Sequence, residues 1–295
     1  MSEHTLDTVS DLNTIAAVQM YSLVRDPMMH LYEVCGNRLL VCDCREGGAM
    51  ESDANRLAQA CWDGKRRIAD GVVWFQKNGR DDVTFGFVNP DGSIESVCGN
   101  GFFAVACALT TGKRSWITIS PARHSPARME VTEDTYNLAV PYRLYDHQRP
   151  VDSPTGGRLY DTGSPHVVMV VPDVRTMPLR RLGEEVLDRW NANLTVYSFS
   201  GSEMRTRTFE RGVNAETDGC GTGALAVAVD AWLRGLDRCR IVYRGGCYDA
   251  HVIKNRGELI LRLAILRENV RLIGSMAMHP LPSREMLTRG VICPR

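Results

Sequence analysis

The sequence lacks net charge, because its 35 Lys and Arg residues balance its 35 Asp and Glu residues. It also lacks a stripe or run of Lys and Arg, and without such a basic surface we expect neither nucleic acid nor an anionic membrane as a partner. No apolar stretch is long enough to cross a bilayer. The opening segment 1–13 is polar and acidic and does not resemble a secretory signal, so a cytoplasmic protein is expected.

Aromatic residues are also few, at 7% of the chain, but hydrophobic residues together make up 44% of its 295 residues. A chain of this length and composition can bury one large core or the cores of two medium domains. The sequence therefore predicts an ordinary globular protein.

Cysteine is abundant, with ten residues. In a long chain without a secretory signal, we expect these to be reduced thiols rather than disulfides. The one-residue spacing of Cys42 and Cys44 does not fit a zinc site, and their alternation within the apolar run 39–44 is typical of a strand. We therefore predict no metal site and assign a packing role to the four N-terminal cysteines, which are Cys35, Cys42, Cys44 and Cys61.

The chain contains an internal repeat. The segment 98–106 aligns without gaps on 220–228, an offset of 122 residues (220 minus 98), and both copies read C-G-x-G-x-x-A-V-A. Each copy follows an extended run and precedes another strand candidate. These four predicted strands are 82–88 and 116–120 for the first copy, and 205–209 and 241–244 for the second. Self-similarity on this scale predicts two units of one design.

Each unit is predicted to be a strand, a glycine-rich turn, a helix and a strand. Glycine permits the sharp turn, and the small apolar residues after it suit a helix packed closely against a sheet. Periodicity adds strands at 167–171, 193–199 and 258–266 and a helix at 179–190. We therefore expect an α+β fold of two domains that meet at a cleft, with a boundary in the turn-rich segment 146–163.

Cys98 and Cys220 each stand on the turn before a predicted helix, beside unpaired backbone N–H groups and the positive end of the helix dipole. We expect this environment to lower the pKa of each thiol. The N–H groups of Gly99–Gly101 and Gly221–Gly223 could also receive an anion, such as an α-carboxylate.

Inversion of an α-carbon needs a base on one of its faces and an acid on the other, and a facing pair of thiols supplies both. A single Cys-Gly turn is more often structural than catalytic. Duplication would keep the glycines for turn geometry, but it gives no reason for a thiol at both first positions. The pair therefore predicts an amino-acid epimerase or racemase with Cys98 and Cys220 as its catalytic residues.

The motif segments resemble those of the diaminopimelate epimerase family. Asn89-Pro90-Asp91-Gly92-Ser93 followed by Cys98-Gly99-Asn100-Gly101 is similar to the family's first catalytic segment. The second is matched by Glu210-Arg211-Gly212, Glu216-Thr217 and Cys220-Gly221-Thr222-Gly223. The resemblance covers nearly the whole chain after about residue 31.

This resemblance implies two pseudo-symmetric domains, each a mixed or antiparallel sheet wrapped around a central helix, with the active site between them. The domains would be 1–145 with a C-terminal segment of about 269–295, and 146–268. It further implies an isomerase that acts on a small-molecule amino acid without pyridoxal phosphate, another cofactor or a metal. Members of the family often pair as homodimers.

The resemblance also assigns substrate contacts. Asn37 matches an asparagine at the substrate, and Glu210 matches a glutamate near the reacting amino group. Asn89 and Asn193 fall where family asparagines contact the distal part of the substrate, and Arg211 falls where the family binds a distal carboxylate. The remaining predicted substrate-binding residues are Gly99, Asn100, Ser164, His166, Gly221 and Thr222.

Some positions depart from the family pattern. Ser164 replaces a substrate-binding asparagine, Phe102-Phe103 replaces Ala-Arg, and Arg38 replaces an acidic residue. Because these changes touch the distal pocket, the identity of the substrate stays open between diaminopimelate and histidine or another basic or polar amino acid.

Other functions are disfavoured. Phenazine-type isomerases lack the paired cysteines, and proline racemases carry histidine in place of Asn100. A noncatalytic amino-acid-binding protein would not need two thiols.

Overall fold

The computed structural model describes residues 28–44, 50–61, 67–110, 115–122, 124–143, 150–151 and 156–277. Most of the predicted N-terminal extension, part of the predicted domain boundary and residues 278–295 lie outside the described residues. None of the helices within the described ranges is long and apolar enough to cross a membrane.

The described elements follow one another in the same order in the two halves of the chain. Those of the first half are β1 (Met28–Val34), β2 (Asn37–Asp43), α1 (Met50–Ala60), β3 (Gly71–Lys77), β4 (Asp82–Val88), β5 (Ile94–Glu95), α2 (Gly99–Leu109), β6 (Ser115–Pro121), β7 (Ala127–Val131) and β8 (Thr135–Tyr142). Those of the second half are β9 (Pro150–Val151), β10 (Gly157–Asp161), β11 (Pro165–Val170), α3 (Leu179–Trp190), β12 (Asn193–Ser200), β13 (Glu203–Glu210), β14 (Ala215–Thr217), α4 (Gly221–Leu233), β15 (Arg238–Tyr243), β16 (Gly246–Asn255), β17 (Glu258–Leu266) and β18 (Val270–Ala277).

Each half forms a mixed sheet with the same strand order. In the first, the neighbours run β1-β2-β3-β4-β6-β7-β8, with parallel pairs β2/β3 and β4/β6 and antiparallel pairs elsewhere. In the second they run β10-β11-β12-β13-β15-β16-β17, with parallel pairs β11/β12 and β13/β15. The short strands β5 and β14 pair with β4 and β13. The repeat found in the motif therefore extends to whole units.

The two sheets exchange strands. β8 of the first unit pairs antiparallel with β17 of the second, from Thr135 opposite Leu266 to Tyr142 opposite Leu259. β9, which follows the first unit, pairs with β10 of the second, and β18, which follows the second unit, pairs with β1 of the first. The strand that follows each unit therefore completes the sheet of the other. The predicted fold, with two pseudo-symmetric α+β domains, is confirmed. The division at 145/146 and near 268/269 stays a prediction.

A buried helix lies at the centre of each unit. In α2 the residues from Gly99 to Ala106 are buried, as are those from Gly221 to Ala231 in α4. The glycines allow close packing, because a Cβ added at Gly101 would lie 2.9 Å from Val73 Cγ2. Small residues at these positions therefore let each helix approach its own sheet closely.

One buried carboxylate helps to fix the orientation of α4. Asp230 is 1% exposed and accepts hydrogen bonds from the hydroxyls of Tyr160 and Tyr197, each at 2.6 Å. Arg234, one turn further along the helix, donates to it from Nε at 2.8 Å. A buried charge is costly unless it is paired and hydrogen-bonded, and these three partners meet that need. The two tyrosines thereby tie α4 to β10 and β12.

The predicted secondary structure is confirmed in most places. The helix predicted at 179–190 matches α3, and the strands predicted at 82–88 and 258–266 match β4 and β17. β15 begins three residues before the predicted 241–244 and ends one residue before it. The four N-terminal cysteines are all buried in the core, as predicted.

Candidate active site

The two motif cysteines cap the two central helices in the same way. Cys98 precedes α2 with an extended backbone (φ −129°, ψ 107°), and its Sγ accepts a hydrogen bond from the N–H of Gly101 at 3.3 Å. Cys220 precedes α4 with φ −139° and ψ 111°, and its Sγ accepts from the N–H of Gly223 at 3.3 Å. In each unit a sulfur therefore occupies the N-cap position that an oxygen commonly fills.

The starts of the two helices touch each other. A Cβ added at Gly99 would lie 2.9 Å from Gly221 Cα and 3.2 Å from Thr222 N, and one added at Gly221 would lie 2.9 Å from Asn100 N. Only glycine leaves room for the two backbones to approach this closely. The positive ends of both helix dipoles consequently converge at one point between the units.

Cys98 and Cys220 line a single small cavity of about 30 Å³ at this point. The predicted site residues that line it with them are Asn37, Asn89, Gly99, Asn100, Ser164, Asn193, Glu210, Arg211, Gly221 and Thr222. The structure thus brings together all predicted site residues except His166, whereas their roles toward a substrate stay predictions. A cavity of this volume has room for about one water molecule, so an amino acid can enter only if the units or their side chains move apart.

His166 lies behind the cavity wall. It is fully buried, and its ring nitrogens are 2.9 Å from Thr195 Oγ1 and 3.0 Å from Thr222 Oγ1. Thr222 Oγ1 is in turn 3.4 Å from the sulfur of Cys220. Burial, and secondarily the charge of Arg211, lowers the pKa of His166 to about 3, so the ring is neutral and holds Thr222 beside the cysteine.

Asparagine side chains brace the cavity walls. Asn37 and Asn100 donate from Nδ2 to the carbonyl oxygen of Gly219, at 3.4 and 3.3 Å. Tyr248 donates to Asn100 Oδ1 at 2.7 Å. These bonds position the loop that leads into Cys220 against the first unit.

The expectation that the helix starts lower the thiol pKa values is wrong for this closed site. Burial raises the pKa of Cys98 to about 12, and burial together with the nearby Glu210 carboxylate raises that of Cys220 well above its ordinary value. The N–H groups of Gly101 and Gly223 act in the opposite direction but do not outweigh burial. Both sulfurs are therefore thiols at neutral pH in this closed site.

Three carboxyl groups lie in the same cavity wall. Burial raises the pKa of Glu210 to about 7, although the hydroxyl of Thr217 donates a hydrogen bond to it. Burial also raises the pKa of Asp70, which accepts bonds from Arg67 Nε at 2.6 Å and from the backbone N–H of Arg38 at 2.7 Å. Glu95, the third carboxyl, has a pKa raised by burial.

Four cavity residues were not identified from the sequence: Asp70, Phe87, Glu95 and Val97. Glu95 and Val97 fall inside the first motif segment, between Asn89 and Cys98, so their proximity to the site was available as a signal. The direction in which these two side chains point could not be read from the sequence, because it depends on the pairing of β5 with β4. Within the described residues, no group of three His, Cys, Asp or Glu is arranged to hold a metal ion.

Comparisons with known proteins give the family. No protein-family model matches the chain. A diaminopimelate epimerase from Thermotoga maritima is 30% identical over 180 residues, which cover 60% of this chain and 74% of that protein. One from a Hydrogenobaculum species is 27% identical over 271 residues, covering 82% of this chain and 93% of that protein.

A solved structure shares the fold at low sequence identity. A probable proline racemase from Agrobacterium radiobacter superposes with a TM-score of 0.66 at 15% identity, covering 87% of this chain and 94% of that one. Both the sequence matches and the shared fold are consistent with two units that meet at the starts of their central helices. The chain therefore belongs to the diaminopimelate epimerase family and is an isomerase of the epimerase and racemase class.

Proposed function

We propose that the protein inverts the α-carbon of a free amino acid by proton transfer between Cys98 and Cys220, without a cofactor. The observation that carries the proposal is the convergence of the two cysteine-capped helix starts on one cavity. Opposite units supply the two sulfurs, so they can face opposite sides of a carbon held between them. This arrangement also favours catalysis over simple binding, for which thiols are unnecessary.

The backbone provides the site for the substrate's α-carboxylate. The first residues of α2 and α4 line the cavity, and two helix dipoles favour an anion there. As the α-proton leaves, negative charge develops on this carboxylate. Preorganised N–H donors stabilise that charge, and the exclusion of water strengthens their effect.

The proton transfer uses one thiolate and one thiol. The thiolate removes the α-proton and becomes a thiol, while the opposite thiol gives its proton to the other face of the carbon and becomes a thiolate. The roles reverse for the opposite enantiomer. A D-amino acid is therefore the product or the substrate, depending on direction.

Substrate binding is proposed to generate the first thiolate. Both thiols have high pKa values in the closed site, but the substrate brings an α-ammonium group. Glu210, which is hydrogen-bonded to Cys220, is positioned to bind this cation. The positive charge beside Cys220 lowers the pKa of its thiol, and the thiol proton passes to the adjacent Glu210 carboxylate.

The substrate is an amino acid with a polar side chain, with diaminopimelate and histidine as the first candidates. The test is incubation of the purified protein with single amino acids in deuterated water, followed by mass spectrometry and chiral chromatography. We expect deuterium at the α-carbon together with formation of the opposite enantiomer. Absence of exchange from every amino acid of a complete polar panel would contradict the proposal.

The pH dependence should follow Glu210. Its pKa of about 7 lies above its ordinary value of 4.5, so below pH 7 the fraction that is ionised and able to bind an ammonium group falls with pH. We expect kcat/KM to fall about tenfold per pH unit below pH 7 and to level off above it. The measurement is the kcat/KM profile between pH 5 and pH 9, with exchange as the readout.

Thr217→Val provides the matched test of that assignment. Removing the hydroxyl that donates to Glu210 removes a bond to the ionised form, so the inflection should move upward by about one pH unit. Glu216 lies next to Thr217 but pairs with Arg207 at 2.7 Å, so Glu216→Gln serves as the control that leaves the inflection in place. If Thr217→Val left the inflection of the kcat/KM profile in place, the titrating group would be one other than Glu210.

A further inference from the structure

An ion pair between the two units closes one side of the cavity. Glu95, on β5 of the first unit, accepts a hydrogen bond from Arg211 Nη2, just after β13 of the second. Glu95 is 9% exposed, and both side chains line the cavity. The guanidinium that could hold a substrate carboxylate thus already holds a carboxylate of the protein.

The other nitrogens of Arg211 are only partly engaged. Nη1 donates to the carbonyl oxygen of Asn191 at 2.9 Å. Nε is buried and has no hydrogen-bond partner in the described part of the chain. A guanidinium carries five N–H donors but only one positive charge, and Glu95 already balances that charge. The unpartnered Nε–H therefore suits a neutral acceptor atom better than a second carboxylate.

The neighbouring amides are engaged as well. Asn193 Nδ2 donates to Ser164 Oγ and to the carbonyl oxygen of Pro165, both at 2.9 Å, and Asn193 Oδ1 accepts from the backbone N–H of Arg211 at 2.7 Å. Asn89 Nδ2 donates to Ser93 Oγ at 3.0 Å. Three of these four amide N–H donors are therefore used within the protein.

Charge reinforces this limit. The cavity is lined by the carboxyl groups of Asp70, Glu95 and Glu210 and by one guanidinium, that of Arg211. A lone distal carboxylate must share Arg211 with Glu95 or displace it, and either outcome leaves one buried carboxylate without a full cation. Removing the partner of a buried charge is strongly unfavourable.

Resting on the proposed function, we infer that Glu95 is a specificity-determining residue that selects against an amino acid whose distal group is a lone carboxylate. The group that fits carries an N–H donor for Glu95 and a neutral acceptor for Arg211 Nε. An imidazole ring or a carboxamide meets both requirements. Substrates with a lone distal carboxylate, such as glutamate, are poor substrates because they must compete with Glu95 for the charge of Arg211.

The test compares substrates with the wild-type protein first, so it does not depend on any variant folding. Histidine and glutamine represent the selected class, and glutamate represents the rejected one. We expect kcat/KM for α-proton exchange to be at least about tenfold higher for the better member of the first class. Glu95→Ala should reduce that ratio at least about tenfold, because it frees Arg211 for a substrate carboxylate.

Glu95→Gln preserves size and should shift the ratio in the same direction. Glu203→Ala is the control, since it removes an acidic residue that lies near an arginine away from the cavity (3.6 Å from Arg240 Nε), and it should leave the ratio unchanged. A wild-type preference for glutamate would overturn this inference and leave the two-cysteine proposal standing. Exchange with no amino acid would overturn the proposed function itself.

Discussion

Cys98→Ala and Cys220→Ala are each expected to reduce the rate of inversion at least about a thousandfold, because each removes one of the two groups that handle the α-proton. Neither substitution removes the helix N–H groups, so binding of the substrate should survive in both variants. Inversion is followed by chiral chromatography, and binding by calorimetry with the best substrate of the wild-type protein.

Cys239→Ala is the matched control for these variants. Cys239 is a partly buried free thiol on β15 that does not line the cavity, so its loss should leave the inversion rate within about twofold of wild type. If Cys98→Ala or Cys220→Ala inverted substrate at a rate close to that of Cys239→Ala, the two-cysteine mechanism would be wrong. Loss of binding together with inversion would instead indicate a collapsed site.

The glycines at the contact between the helix starts should tolerate no side chain. In Gly99→Ala the new methyl group would stand 2.9 Å from Gly221 Cα, and in Gly221→Ala it would stand 2.9 Å from Gly99 Cα. The obstructing atoms belong to backbone, which cannot rotate away. We expect each variant to lose about 1–3 kcal/mol in free energy of unfolding.

The same variants should lose most of their activity, because the two helix starts must separate to accept the methyl group. A displacement of about 1 Å at a catalytic site can cost about a hundredfold in rate. Gly79→Ala is the control, since nothing lies within 4 Å of a Cβ added there, and it should change stability by less than about 0.5 kcal/mol. Urea denaturation measures the stabilities; equal midpoints for Gly99→Ala and Gly79→Ala would show that the helix starts are not in contact.

Much of the fold was predictable because the chain repeats itself. The paired motif predicted that α2 and α4 occupy equivalent positions in the two units, and hydrophobic periodicity located β17 and α3. The signal was strong where a pattern continued over a whole element, as in 258–266, whose alternating residues place one face in the core. Clustering of the cavity residues also followed from the motif segments, because both segments end at a helix start.

Other features depend on contacts that no local pattern encodes. The pairings of β8 with β17 and of β18 with β1 join segments more than a hundred residues apart. The raised thiol pKa values arise from burial between two units, which outweighs the local effect of the helix starts. The pairing of Glu95 with Arg211 likewise requires both units to be in place.

The central claim is that two sulfurs act on opposite faces of one carbon, and isotope labelling in the single variants tests it most directly. Each variant keeps one sulfur, which can remove and return a proton on its own face. In deuterated water, Cys98→Ala should label the α-carbon of one enantiomer without inversion, and Cys220→Ala should label the other. Labelling of the same enantiomer by both variants would contradict the account.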